Sequence, residues 1–117
     1  LNSLKMKNID NLFVYGSLQK GKQHENILEN INGLWKKAYV VGYLFNISKG
    51  PDYGYPAIKI DKKGLKIHGM VFQSKDLKKK ISKIDAFEGK NYKRVISKIY
   101  LENGLVIDAY LYEIKSY

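Results

Sequence analysis

The sequence predicts a single α+β domain built on a mixed, strongly curved sheet and spanning residues 6–117. Strand and helix patterns follow one another in the order strand, helix, several strands, helix and two strands. A chain of 117 residues with 44% apolar content suits one hydrophobic core. Residues 1–5 precede Met6, and we expect them to be a non-native or disordered extension outside the domain.

The N-terminal region is predicted to be a buried strand followed by a turn and a helix. The apolar and aromatic run Asn11–Tyr15 ends at a glycine, Gly16, which is typical of a strand that enters a turn. Between His24 and Trp35, four apolar residues recur with helical spacing: Ile27, Leu28, Ile31 and Leu34. This spacing predicts a helix after the first strand.

The middle of the chain is predicted to be β-rich. Residues 38–47 contain many β-branched and aromatic side chains, which favour a strand. Residues 57–61 and 65–73 are predicted to pair as a hairpin across the turn at residues 62–64. The segment 48–56 contains two glycines and both prolines, so it is predicted to be a loop long enough to line a site.

The C-terminal part is predicted to be a helix followed by a hairpin. Ser74 is a candidate N-cap, and Gly89 is placed to end the helix. The core-facing stripe of this helix is predicted to be Leu77, Ile81, Ile84 and Phe87. Residues 92–101 and 105–114 flank Asn103-Gly104, a strong short-range signal for a hairpin.

The composition excludes several classes of function. The chain has no cysteine and two histidines, so we expect no disulfide, thiolate chemistry, bound metal or other cofactor. No apolar run approaches the length of a membrane span or a signal peptide, and we therefore expect a cytoplasmic protein with no membrane partner. The net charge of +10 raises a nucleic-acid partner as a hypothesis, but Arg94 is the single arginine among 21 basic residues and the lysines are scattered.

Two positions could carry chemistry. The turn after Tyr15 lacks the motifs of a nucleophilic serine or a phosphate-binding P-loop. Its backbone N–H groups could instead hold a carboxylate or an oxyanion, although a plain turn between strand and helix explains it equally well. Glu88 lies at the C-terminal end of the second predicted helix, where the helix dipole raises a carboxylate pKa toward that of a base. A solvated residue in the last helical turn is the alternative.

Five short motifs occur in order along the chain: Phe13-Val-Tyr-Gly-Ser-Leu18, Gly54-Tyr-Pro-Ala57, Gly69, Asp85-Ala-Phe-Glu-Gly89 with Tyr92 and Arg94, and Tyr110-Leu-Tyr112. Together they resemble the γ-glutamylcyclotransferase-like superfamily, particularly its short bacterial members and the γ-glutamylamine cyclotransferases. The resemblance implies a compact mixed β-barrel with helices packed outside. It also implies an enzyme that releases the γ-glutamyl group of a small γ-glutamyl amide as 5-oxoproline.

The resemblance also assigns residues to roles. Glu88 corresponds to the catalytic general acid and base. The loop that holds the substrate corresponds to Tyr15, Gly16, Ser17 and Leu18, and Tyr92 is a further candidate contact. Arg94, Tyr55, Tyr110 and Tyr112 could line the cavity or serve the fold. The sequence leaves open whether the leaving group is an amino acid or another amine, and whether the domain is a non-catalytic binding module or a basic nucleic-acid-binding domain.

Overall fold

The computed structural model describes residues 9–15, 27–47, 54 and 56–115. Within these residues there are six strands, listed here in chain order: β1 (Asn11–Val14), β2 (Leu34–Asn46), β3 (Pro56–Ile60), β4 (Leu65–Gln73), β5 (Tyr92–Leu101) and β6 (Val106–Ile114). A short 3-10 turn, Leu77–Lys79, precedes the one α-helix of the described residues, α1 (Ile81–Glu88). No helix in this part of the chain is long and apolar enough to cross a membrane.

Five of the strands close into a mixed barrel. β4 pairs antiparallel with β1 and β2, and β2 pairs antiparallel with β3. β6 closes the ring through parallel contacts with β1 and β3, where Leu12 lies opposite Tyr110 and Ile58 opposite Glu113. β5 is the extra strand, which pairs along β6 and reaches the start of β2. The predicted mixed barrel is therefore confirmed.

The strands bury apolar residues on both faces. The inner core fills the barrel and includes Phe13, Val40, Val71 and Leu111. The outer core lies between the barrel wall and the helical segments: Leu12, Val14, Leu28, Phe72, Leu77, Ile84 and Tyr112. Because neighbouring residues of a strand face opposite ways, a strand covered on both sides needs a continuous apolar run. The run in β1 meets that requirement.

The predicted hairpin between β3 and β4 is wrong, because β2 lies between these strands. Gly42 of β2 is opposite Ile60 of β3 on one side and Leu65 of β4 on the other. The turn at residues 61–64 therefore crosses β2, and a Cβ on Gly64 would lie 2.2 Å from the Gly42 carbonyl oxygen. Two glycines allow the backbones to approach this closely, and such a crossing leaves no periodic signal in the sequence.

The first predicted helix is also corrected within the described residues. Residues 28–30 form a turn, at the end of which the Ile31 N–H donates to the Leu28 carbonyl at 3.3 Å. Leu34 belongs to β2 and is 64% exposed, so it does not continue the stripe. Leu34 pairs with Gln73 of β4 and therefore belongs to the strand. Here strand pairing with a distant segment outweighs the helical spacing of the apolar residues.

The second helical segment begins later than predicted and faces differently. Ser74 does not cap α1, since its Oγ accepts from the Asp76 N–H at 3.1 Å and its hydroxyl donates to the Asn32 carbonyl at 2.5 Å. Phe87 is 39% exposed, so its predicted core-facing position is wrong. Gly89 ends the helix as predicted, with φ of 88°. The β5–β6 hairpin with its Asn103-Gly104 turn is confirmed.

Candidate functional site

Tyr15 directly follows β1, and its side chain joins two other strands of the barrel. Its hydroxyl donates to the Tyr112 carbonyl at 2.8 Å and accepts from the Ile58 N–H at 3.2 Å. These groups belong to β6 and β3, which otherwise meet at a single parallel pair of residues. We call this junction the β3–β6 seam. The phenol of Tyr15 therefore takes the place of ladder hydrogen bonds between the two strands.

Glu113 is a second side chain at the β3–β6 seam. It is 7% exposed, and its Oε2 accepts from the Ile60 N–H at 2.8 Å. Its Oε1 lies 3.7 Å from the Lys59 Nζ and 3.8 Å from the Lys93 Nζ, which balances the buried charge. Sequence reasoning missed this residue. The sequence did contain a signal for it: Glu113 lies two residues after the apolar Leu111, and residues two apart in a strand face the same way. This spacing places the Glu113 carboxylate on the inner face of β6.

Glu88 is the last residue of α1 and lies on the packed side of that helix. It follows the buried Ile84 by four residues, and residues at this spacing share a helix face. The side chain is accordingly partly buried, whereas the preceding Phe87 points outward. Gly89 then takes a left-handed φ, and its N–H donates to the Asp85 carbonyl at 3.1 Å. Glu88 thus lies on the same helix face as the buried Ile84 and is partly shielded from solvent.

The charge of Glu88 acts on the half-buried Tyr15 and on the buried Tyr112. Burial is the main cause of a raised pKa for the Tyr15 phenol, and the Glu88 carboxylate raises that pKa further. The pKa of Tyr112 is also raised, first by burial, then by its hydrogen bond to Asp85, with a smaller contribution from Glu88. Glu88 is therefore within electrostatic reach of Tyr15, although the two residues are 73 positions apart.

Asp85 anchors α1 to the hairpin of β5 and β6. One of its carboxylate oxygens accepts from the Arg94 Nε at 3.0 Å and from the Tyr112 hydroxyl at 2.5 Å. The Arg94 guanidinium also lies 4.6 Å above the ring of Tyr110. Arg94 therefore supports the helix that carries Glu88, which agrees with the structural alternative for this residue. Tyr110 and Tyr112 belong to the outer face of the barrel.

The structure brings together three of the six residues predicted for the site. Tyr92 starts β5, packs against the outer core and contributes to the raised pKa of Tyr15. Glu88 and Tyr92 therefore both lie within electrostatic reach of Tyr15. Gly16, Ser17 and Leu18 lie outside the described residues, as does most of the predicted loop at 48–56. The described residues contain no group of three or more His, Asp or Glu side chains arranged to hold a metal ion.

The comparison with protein families adds evidence independent of this geometry. The family described as gamma-glutamyl cyclotransferase, AIG2-like, matches residues 12–117, which include Tyr15, Glu88 and Tyr92. The chain belongs to this family. The resemblance recognised in the five sequence motifs is thereby confirmed for nearly the whole chain.

Solved structures related to this AIG2-like chain share its fold. An AIG2-like protein from Mus musculus is 20% identical, with a TM-score of 0.70 over 95% of this chain and 80% of its own. YkqA from Bacillus subtilis is 24% identical, with a TM-score of 0.70 over 91% of this chain and 36% of its own. An Arabidopsis thaliana protein is 28% identical, with a TM-score of 0.68 over 94% of this chain and 72% of its own.

The AIG2-like chain spans just over a third of YkqA, so the barrel also occurs as part of a longer protein. No match was found among curated proteins.

An open groove of about 630 Å³ runs beside the end of α1 in this AIG2-like domain; Gly89, the residue after Glu88, lines it, and Glu88 itself does not. Its walls are the last turn of α1, the beginning of β5 and the end of β6. The lining residues are Asp85, Ala86, Gly89, Lys90, Tyr92, Lys93, Arg94, Tyr112 and Lys115. Tyr92 thus belongs both to the groove and to the candidate site. Asp85, Arg94 and Tyr112, which hold α1 in place, also line the groove.

Proposed function

We propose that this chain is a cyclotransferase that releases a γ-glutamyl group as 5-oxoproline, with Glu88 as its general acid and base. The observation that supports the proposal is that Glu88, the last residue of α1, lies close enough to the half-buried Tyr15 for its charge to raise the Tyr15 pKa. Family membership over residues 12–117 supports the same class of reaction.

The reaction accounts for the small number of chemical groups at this site. The α-amino nitrogen of a γ-glutamyl amide attacks its own γ-carbonyl carbon, a five-membered ring forms, and the bond to the leaving amine breaks. The substrate supplies the nucleophile, so the enzyme must mainly hold the two groups in attack geometry and move protons. Starting from the ammonium form, the α-nitrogen loses two protons, and the leaving nitrogen gains two on becoming an ammonium ion.

Glu88 is suited to this proton transfer by position and by chemistry. Its carboxylate would take a proton from the α-ammonium and later deliver a proton to the departing amine. The amides of the segment from Tyr15 to Leu18 would stabilise the negative oxygen of the tetrahedral intermediate. Tyr92, which starts β5 beside Glu88, would border the substrate.

The Tyr15 phenol has a different task. Its proton is donated to the Tyr112 carbonyl, and its raised pKa keeps it neutral at physiological pH. A neutral phenol whose proton is donated to a carbonyl cannot act as the base, so the proposal assigns proton transfer to Glu88. Tyr15 would instead set the starting direction of the segment that provides the amides.

The test replaces Glu88 with glutamine, which has the same shape but cannot exchange the proton. Wild-type protein and Glu88→Gln are mixed with γ-glutamyl amino acids, γ-glutamylamines and ε-(γ-glutamyl)lysine, and 5-oxoproline is followed by mass spectrometry. We expect the variant to lose about 10²–10⁴ in rate on every substrate that the wild type converts. Glu102→Gln is the matched control, because Glu102 is exposed in the turn between β5 and β6 and should keep full activity.

Two results would contradict the proposal. Full turnover by Glu88→Gln would refute the base, even if the activity is real. If wild-type protein forms no 5-oxoproline from any of these substrates but binds one of them, the domain is a non-catalytic binding module.

A further inference from the structure

The groove beside Glu88 carries an excess of positive charge. Four cationic residues line it, Lys90, Lys93, Arg94 and Lys115, against the single carboxylate of Asp85. That carboxylate already accepts from the Arg94 guanidinium and the Tyr112 hydroxyl.

The remaining cations of the groove differ in their partners. The Lys93 ammonium lies 3.8 Å from the buried Glu113. Neither Lys90 nor Lys115 forms an ion pair with any carboxylate of the described residues. Among the described residues, therefore, the groove retains two lysines whose ammonium groups form no ion pair.

The two lysines are held on neighbouring segments. Lys90 lies in the turn after Gly89, and Lys115 directly follows β6. The backbone N–H of Lys115 donates to the carbonyl of Asn91 at 2.9 Å, which ties the end of β6 to that turn. Both side chains line the same groove. Their backbones are thus fixed relative to each other, so that both ammonium groups can approach one anion.

The groove is also adjacent to the proposed chemistry. Gly89, which follows Glu88 in the chain, lines it, and so does Tyr92, which contributes to the raised pKa of Tyr15. Tyr112 lines it as well and feels the Glu88 charge. A volume of about 630 Å³ exceeds what one amino acid needs. A substrate whose scissile bond lies at Glu88 can therefore extend its leaving group into this groove.

We propose that the groove binds the leaving-amine part of the substrate and selects leaving groups that carry a carboxylate, with Lys90 and Lys115 as the selecting residues. This inference rests on the proposed function. It assigns γ-glutamyl amino acids and peptides, rather than γ-glutamylamines without an acid group, as the preferred substrate class. The physical reason is that a carboxylate between two lysines gains attraction that a neutral alkyl group does not.

The test uses two substrates that differ by one carboxylate, γ-glutamylalanine and γ-glutamylethylamine. The wild type should have the higher kcat/KM for γ-glutamylalanine. Lys90→Gln and Lys115→Gln should each lower this preference about two- to fivefold, and the double variant about tenfold, as expected for partly exposed charge pairs. Turnover of γ-glutamylethylamine should stay unchanged. Lys62→Gln, in the turn between β3 and β4 and outside the groove, is the matched control.

Ionic strength provides a second readout. Raising the salt concentration screens exposed charges, so it should weaken the preference of the wild type more than that of the double variant, in which Lys93 and Arg94 remain.

The outcomes separate this inference from the proposed function. Equal kcat/KM for both substrates, or a preference unchanged in the double variant, overturns the role of the groove while the cyclotransferase stands. If neither substrate is converted, calorimetric titration with each one decides. If γ-glutamylalanine binds more tightly than γ-glutamylethylamine and the double variant loses this difference, the groove selects the carboxylate but the proposed reaction is wrong. If both compounds bind equally or not at all, both proposals are overturned.

Discussion

Replacing Tyr15 with phenylalanine should destabilise the barrel through the β3–β6 seam. The change removes one oxygen atom and keeps the ring. It leaves the Tyr112 carbonyl and the Ile58 N–H without their partner, and these residues are 5% and 0% exposed. A buried backbone group left unsatisfied costs about 1–3 kcal/mol, so the two groups together predict a loss of about 2–6 kcal/mol. If a water molecule enters the site and bonds to these groups, the loss of stability should lie at the lower end of this range.

Urea unfolding followed by tryptophan fluorescence measures this loss. Trp35 is the only tryptophan of the chain, and it packs against Phe72 of the outer core at 5.0 Å between ring centroids. Its emission therefore reports the packing of the barrel wall. Tyr43→Phe is the matched control, because the Tyr43 hydroxyl makes one exposed hydrogen bond, to the Lys63 carbonyl at 3.2 Å. That variant should change the free energy of unfolding by less than about 0.5 kcal/mol.

A loss below about 1 kcal/mol for Tyr15→Phe, or one equal to that of Tyr43→Phe, would refute the reasoning about the seam. The comparison requires that the variants and the wild type have the same m-value, the slope of the free energy of unfolding against urea concentration. A changed m-value indicates a different unfolded or native state.

Two further predictions concern the crossing of β2 and the two tyrosines whose pKa is raised. Gly64→Ala should lower the free energy of unfolding by about 1–3 kcal/mol or more, because its Cβ would lie 2.2 Å from the Gly42 carbonyl oxygen. Gly104→Ala is the control: an added Cβ would have no atom within 4 Å, so only the left-handed φ of Gly104 should cost free energy of unfolding, about 1 kcal/mol. If urea unfolding gives equal losses for the two variants, the close crossing at Gly64 is contradicted. The pKa of Tyr15 and of Tyr112 is raised in the native state, so the unfolded chain ionises these groups first. Below pH 10.0, the ordinary tyrosine pKa, the two groups should not change the free energy of unfolding. Above that pH they should together lower it by about 2.7 kcal/mol per pH unit. Alkaline titration of tyrosinate absorbance checks this, and ionisation of all tyrosines before unfolding would disprove it.

Local patterns correctly predicted two features of the C-terminal half. The β5–β6 hairpin follows from its Asn103-Gly104 turn, and the end of α1 follows from Gly89. Both depend on backbone conformations that a glycine adopts within a few residues, so neighbouring sequence is sufficient to decide them.

Elements whose conformation depends on distant partners were predicted less well. Leu34 has helical spacing relative to Ile27 and Ile31, yet it pairs with Gln73 and belongs to β2. The chain segments of β3 and β4 resemble a hairpin, yet β2 lies between them. In both cases a strand distant in sequence supplies the hydrogen bonds, and no local pattern encodes that choice.

By itself, the sequence determined the family, the mixed barrel and the candidates Glu88, Tyr15 and Tyr92, because short motifs keep their order along the chain. Only the tertiary structure decided that Glu88 is partly buried while Phe87 is exposed, since the packing of Ile84 sets the rotation of α1. The tertiary structure also decided that the Tyr15 phenol and the Glu113 carboxylate hold β3 to β6. Those contacts join residues far apart in the chain, and closing the barrel brings them together.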